Sequence, residues 1–563
     1  MSKTQAPPPH ADPQQLLTAL GTTSRAVAHR IYRCTLVTPM YGGGVKPGVV
    51  DRELPFRPTA IRGQLRFWWR LLNRLDAEGR PRSPKALFEA ERAIWGGLGD
   101  SESLARSNVS VRVRAVEGKI ELRPAAKYEG KPHPIWESPG FGYALFPAAD
   151  VNKNDGGRED TIAVTRTVEM LRSLGVRVQQ PLDGNKEKKP ADLLQPGASF
   201  ELHLGFDEDL SEHQRHQVVR ALHWWAAFGG LGARNRRGAG AFDVQEAGRG
   251  LPIPTMEEIR EAGCRLVMRR ATKSSMDAWN EAIKLLREFR QGEGLGRRGR
   301  GQSKTPGRSF WPEPDSIREV LGQHAGLHRP EHLARGLYPR AFFGLPIITH
   351  FKGGGRGRNQ DPPDTQLVPV PKGKSVPAER MASPVILRPM RSGNGQWAPA
   401  ALLLPRAHVD AMGLVLKEGN RECRNLPAGQ WWKKEKAAEI EPMKGRGDDP
   451  LDAFLAYFQS SGVPAKNNAA PAKSSITGGM DADAECTYER PTLKKEGRSL
   501  VVTPASSMGE RSKSITLIND DVVRCLEKLS PYARERLARS APFNRLRITL
   551  RGTTFVSLEE YPE

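Results

Sequence analysis

From 229 to 240 the chain reads Gly-Gly-Leu-Gly-Ala-Arg-Asn-Arg-Arg-Gly-Ala-Gly. Glycine tolerates positive φ and leaves the backbone open to close approach. Arginine carries a permanent charge and a planar fork of donors that fits phosphate oxygens. Gly229, Gly230, Gly232, Gly238 and Gly240, with Arg234, Asn235, Arg236 and Arg237, therefore suit the holding of a polyanion. The common nucleotide motifs do not fit. No Lys-Ser/Thr follows Gly238, and Asn235 stands where a G-x-G-x-x-G pattern begun at Gly230 needs its third glycine. The stretch also follows an apolar helical pattern ending at Phe228 and precedes a strand-like run, 241–244. Nucleotide folds place the phosphate turn the other way round, between strand and helix.

Further cations rank behind this turn. Lys46, Arg52 and Arg57 lie on an extended basic segment after the glycines 42–44. Arg62, Arg66 and Arg70, continued by Arg74, recur every four residues beside an apolar stripe, so they share one helix face. A solvated helix face reads the same way. These arginines lack interleaved acids at i,i+4, which favours a binding stripe. The pairs Trp68-Trp69, Trp224-Trp225 and Trp431-Trp432 could stack on bases. On the two amphipathic helices one ring of each pair is expected in the core, and the other could lie at the surface. Two sets of histidines are spaced for chemistry as well. His324, His328 and His332 have the spacing of a helix face, but Gly326 and Pro330 interrupt it, so a surface cluster outweighs a metal site. His29, His213, His216 and His223 are possible acid–base groups with no activating partner evident in sequence.

The elements that must position these residues follow from periodicity. Alternation marks strands at 29–38, 108–116 and 199–206. Helix spacing begins at Ile61, with Thr59 as the expected N-cap. Ser211 and Gln214 form a capping-box pattern ahead of the second helix. With the strand from Ala241, the order is βαββαβ, the ferredoxin-like plan. Residues 1–28 read as a flexible N-terminus and 29–250 as the first domain, with an insertion at about 117–198 containing the polar run 152–160 and the lysine-rich run 183–189. Residues 251–563 read as a second, divergent α/β unit with a basic linker at about 292–308, echoed by the glycine–arginine run 353–358, and a helical insertion at about 410–540. Within it, 383–390 and 397–404 form a hairpin pattern, and a last strand is expected at 546–554.

Composition narrows the partners. The 563 residues hold 86 Lys+Arg against 64 Asp+Glu, a net charge of +22, which favours a polyanion such as nucleic acid. The five cysteines are scattered without a CxxC pair, which fits a reducing cytoplasm. No apolar run is long enough for a membrane span, and the N-terminus carries no signal-peptide pattern.

Thr38-Pro39-Met40-Tyr41-Gly42-Gly43 and the block 56–70 (FRPTAIRGQLRFWWR) resemble the N-terminal signature of the RAMP-superfamily proteins that serve as subunit one of the Cmr complex, a type III-B CRISPR effector. The stretch 229–240 resembles the RAMP glycine-rich loop, and 340–346 with 382–389 resemble the family's C-terminal half. The resemblance implies an α+β fold of tandem ferredoxin-like, RRM-related units with large insertions. It implies a non-catalytic RNA-binding subunit near the guide RNA 3′ end that helps capture target RNA. Its partners would be guide and target RNA and the other Cas proteins of the Cmr complex, with no cofactor and no metal. The alternatives are a RAMP endoribonuclease maturing guide RNA by metal-independent acid–base chemistry and an interaction scaffold with little RNA contact.

Overall fold

The computed structural model describes residues 28–561 apart from 150–188, 300–306, 461–484, 504–514 and several shorter gaps. The expected N-terminal arm, the run 152–160 and nearly all of 183–189 therefore lie outside the described residues. So do parts of 292–308 and 353–358. In chain order come β1 (Ala28–Leu36), α1 (Pro58–Leu72), β2 (Val109–Glu117), β3 (Ser199–Phe206), α2 (Glu212–Phe228) and β4 (Phe242–Glu246). They build an antiparallel sheet ordered β4–β1–β3–β2, with Arg249–Gly250 outside β4. This is the strand order of the ferredoxin-like plan expected from the sequence.

Local chemistry explains the boundaries. The Ser211–Gln214 capping box opens α2 as expected. Helix α1 begins earlier than expected, with Arg57 at the N-cap and Pro58 in the first turn, where its missing N–H costs nothing. Each helical tryptophan pair puts a ring in the core as expected, but the second ring does not reach the surface. Trp68, Trp69, Trp224 and Trp225 are all buried, because α1 and α2 cover the sheet and also pack against each other. Trp68 meets Trp224 at 6.0 Å and Phe228 at 6.0 Å, while Trp225 reaches Phe242 of β4 at 5.9 Å. Two contact directions on one helix leave no surface ring.

The second half repeats most of the plan. Strand Arg265–Met268 is followed by α3 (Ser275–Gln291), β5 (Val385–Arg391), β6 (Trp397–Leu403) and α4 (Pro450–Ser460). The sheet order is Arg265–Met268, β6, β5, which reproduces β1–β3–β2 of the first half. The expected hairpin is the β5–β6 pair, in register from Val385↔Leu403 to Arg391↔Trp397. Helices α3 and α4 meet through Phe289 and Phe454 at 5.5 Å. Among the described residues no fourth strand joins this sheet. A four-stranded sheet, Ile347–Thr349, Thr365–Val370, Gly413–Glu418 and Arg421–Leu426, is inserted around the hairpin. The fold is thus α+β with tandem ferredoxin-like parts.

The chain divides into two compact units, Met1–Lys466 and Asn467–Glu563. The expected boundary near 250 falls inside the first unit, where both ferredoxin-like parts share one body. The second unit has its own core of Leu500, Val502, Leu537 and Ile548 between two small sheets and the helices Asp520–Lys528 and Pro531–Ala538. Its Lys and Arg nearly balance its Asp and Glu, so almost all of the +22 excess sits in 1–466. The stretch 410–540 is not mainly helical, since its described part also holds strands such as Gly413–Glu418 and Ser499–Thr503. The described ends of 292–308 are tied together rather than free, with Arg298 N donating to Arg308 O at 2.8 Å and Arg297 bridging Ser309.

Candidate nucleic-acid interface

The turn after α2 is a closed, internally bonded knot. Gly229 N caps the helix on Trp225 O at 2.7 Å, and Leu231 N closes the base on Gly240 O at 2.9 Å. Ala233 N donates to Tyr41 O at 2.7 Å, so the turn is stitched to the glycines that follow β1. Arg234 adopts the left-handed region at φ 64° and leads into a one-turn 3-10 helix, Asn235–Arg237, which Gly238 ends at φ 78°. A Cβ at Gly238 would lie 2.7 Å from Leu387 O and 2.7 Å from a Trp279 ring carbon. One at Gly232 would lie 2.6 Å from Tyr41 O. The sequence suggested that these glycines open the backbone to a ligand. At both positions they let protein backbone pack against protein.

The three guanidinium groups also point to protein. Arg234 Nε donates to Ala144 O at 2.7 Å, and its guanidinium lies over the Phe146 ring. Arg236 Nη1 donates to Ser383 O at 2.8 Å and stacks on Phe67. Arg237 is buried, with Nη1 to Ser383 Oγ and Nη2 to Phe343 O, each at 3.3 Å. The exchange is reciprocal. Arg388, on β5 of the second half, donates to Gly229 O at 2.7 Å and Phe242 O at 2.8 Å in the first half. Trp279 Nε1 adds a bond to Arg237 O at 2.6 Å, and Thr38 Oγ1 one to Gly238 O at 2.6 Å. Among the described residues none of these four arginines has a carboxylate ion-pair partner. Burial pushes Arg237 down to about 9 and Arg236 and Arg388 down to about 10, and Arg234 and Arg290 add repulsion at Arg237. All stay charged at neutral pH. Arg388, Ser383 and Trp279 were not singled out from sequence. The available signal was a lone charge inside the apolar run of β5.

What the knot leaves unmatched is three of its backbone amides. The amides of Arg234, Asn235 and Arg236 donate to no protein acceptor among the described residues. A left-handed residue followed by right-handed ones brings successive N–H groups toward one point, an anion-binding nest. The amides of Gly42 and Gly43 are likewise unmatched, with positive φ at both residues, and Gly43 lies against Gly232. Beside them runs the loop 42–57. Lys46 is exposed, Arg52 reaches Asp192 at 3.2 Å with most of its side chain in solvent, and Arg57 Nη1 lies 3.5 Å from Gly43 O. Val45, Val49 and Leu54 are also exposed on this loop.

The arginine stripe on α1 has partners the sequence did not reveal. Arg66 Nε and Arg70 Nη1 bond the buried Glu91 at 2.6 and 2.8 Å, Arg62 bonds Trp95 O, and Arg74 Nη1 bonds Leu71 O at 2.8 Å. The missing acid comes from the next helix, Pro84–Trp95, rather than from i,i+4. The histidines do not converge either. His328 pairs with Asp361, His332 bonds Phe310 O at 3.0 Å, and His324 bonds Ala325 O at 3.0 Å. His213 meets Gln217 at 2.9 Å, while His223 Nε2 is buried without a partner among the described residues and burial lowers its pKa.

Residues 33–243 match the model of the RAMP superfamily. No curated protein sequence matches the chain. Similar solved structures include Cmr1 from Pyrococcus furiosus in its apo form, at 14% identity over 67% of this chain and 88% of that one, with a TM-score of 0.32. A chain of the type III-B Cmr-beta structure bound to cognate target RNA and AMPPnP, in the presence of ssDNA, is 11% identical over 76% of this chain and 99% of its own, with a TM-score of 0.33. A chain of a type IV-B CRISPR complex is 17% identical over 42% and 98%, with a TM-score of 0.21.

Proposed function

We propose, from the match of residues 33–243 to the RAMP-superfamily model, that this chain is a non-catalytic RNA-binding subunit of a type III-B CRISPR effector. Guide and target RNA and the other Cas proteins of a Cmr complex are its partners. In this reading the chain sits near the guide RNA 3′ end and helps capture target RNA. The observation that carries the RNA contact is the set of unmatched amides at Arg234–Arg236, Gly42 and Gly43, held side by side and flanked by Lys46 and Arg52. Amides and lysines of this kind hold phosphates without reading bases. Sequence choice then belongs to guide–target pairing.

The test is RNA binding by the Ala233→Asp variant. Ala233 is exposed and precedes the nest, so the new carboxylate repels a phosphate there while the turn keeps its bonds. Affinity for single-stranded RNA is expected to fall about tenfold, a loss of roughly one contact at low salt. Unchanged affinity in a folded variant contradicts the placement of RNA on the turn. The endoribonuclease alternative is judged by incubating the chain with a repeat-containing transcript. Specific cleavage abolished by a histidine substitution favours it. Cross-linking the assembled complex to RNA separates both from the scaffold alternative.

A further inference from the structure

A cleft of about 630 Å³ opens in the first unit between α3, the helix Pro139–Leu145 and α4. Its volume lies in the range that holds a small organic ligand. The wall carries Tyr143, Tyr457, Arg287, Arg297, Glu288 and Gln291. Two of these cations are under-used by the protein. Arg287 is half-buried and has no ion-pair partner among the described residues. Among the described residues Arg297 has a buried Nε with no hydrogen-bond partner and a single long 3.5 Å approach to a carboxylate, at Glu293. The aromatic walls are fixed. Tyr143 Oη accepts from Arg290 Nη1 at 2.9 Å, and Tyr457 Oη donates to Glu288 Oε2 at 3.2 Å. Tyr457 is further held against Phe289 at 5.5 Å.

This lining differs from a phosphate track, which would be uniformly basic. Carboxylates stand beside the guanidiniums, so the matching ligand has donors as well as an anionic group. A nucleotide has this chemistry: a phosphate for the arginines, ribose hydroxyls and base N–H groups for Glu288 and Gln291, and a flat ring for a tyrosine wall. The cleft is also tied to the glycine–arginine turn. Tyr143 is followed by Ala144, whose carbonyl accepts from Arg234 Nε at 2.7 Å.

We infer that this cleft receives a single nucleotide, with its phosphate on Arg287 and Arg297 and its base against Tyr143. The nucleotide is either splayed out of an RNA strand or free. The strand form rests on the RNA-binding reading above, and the free form does not. The experiment uses the full chain, as wild type, Arg287→Gln and Tyr143→Ala. Binding of adenosine 5′-monophosphate is followed by calorimetry and of single-stranded RNA by fluorescence anisotropy. Loss of mononucleotide binding in both variants identifies a free-nucleotide site. An RNA affinity about tenfold lower in both variants, with no mononucleotide binding to wild type, identifies a splayed base of a strand. Wild-type behaviour toward both ligands in Arg287→Gln, a half-exposed position that keeps the fold, overturns the inference even where Tyr143→Ala misfolds. Cleft variants without effect beside an active Ala233→Asp loss leave the turn as the RNA site and remove the cleft. The converse result keeps the cleft and removes the turn.

Discussion

The turn 229–240 and the loop 42–57 are built from the same materials, glycine and cation, and they touch at Gly43 and Gly232. They use these materials in opposite ways. In the turn the arginine side chains face protein, and the amides of Arg234, Asn235 and Arg236 are left unmatched among the described residues. In the loop Lys46 and most of Arg52 face solvent. Arg236, Arg237 and Arg388 exchange bonds with backbone carbonyls across the two ferredoxin-like halves, which fastens them into one body. Charged groups buried without a carboxylate are costly, by several kcal/mol each before their hydrogen bonds offset it. A glycine–arginine composition therefore signals a polyanion site without saying which atoms touch the polyanion.

The contrast breaks most sharply at Gly238. Replacing it with valine puts a side chain at φ 78° into Leu387 O and Trp279. About 3 kcal/mol of stability should be lost by the sum of backbone strain and overlap, read from denaturant unfolding of the full chain. Arg237→Ala follows, at about 2 kcal/mol, because Ser383 Oγ and Phe343 O lose a buried donor. A change within experimental error in either variant would show that the turn is not a fastening. On the loop the expectation inverts. Lys46→Ala with Arg52→Ala should leave stability within about 0.5 kcal/mol of wild type. A large loss of stability there would erase the distinction between the two regions.

The smallest effect concerns acid. At Asp361 burial raises the carboxyl pKa, but bonds from Arg318 and His328 bring it below its ordinary value. At Asp315 burial is likewise outweighed by amides of Glu331 and His332 and by Arg308. A folded pKa below the unfolded one gives stability that is present above the ordinary carboxylate range and lost as pH falls through the folded value. Unfolding curves should therefore weaken below about pH 4. Asp361→Asn should flatten that decline, whereas the loop variants should follow wild type.

Much of the first half could be read from sequence because its strands alternate and its helices carry caps. Phe200, Leu202 and Leu204 mark β3, and Ser211 and Gln214 mark the start of α2. The place of the glycine turn between α2 and β4 was equally clear. Three things were not. Partners distant in sequence, such as Glu91 for Arg66 or Ser383 for Arg236, leave no local pattern. The burial of both rings in Trp68-Trp69 depends on α2 packing beside α1, which periodicity on one helix cannot encode. The direction of the turn depends on Arg388 and Trp279, which enter more than 40 residues later in the chain.

The most direct test of the account is the salt dependence of single-stranded RNA binding, measured for wild type, Lys46→Ala with Arg52→Ala, and Arg237→Ala under conditions where all three are folded. The account predicts a slope of log affinity against log salt that falls by about 0.7 per lost contact in the double variant. It predicts a slope equal to wild type in Arg237→Ala. A slope that drops with Arg237 and stays unchanged without Lys46 and Arg52 would contradict it.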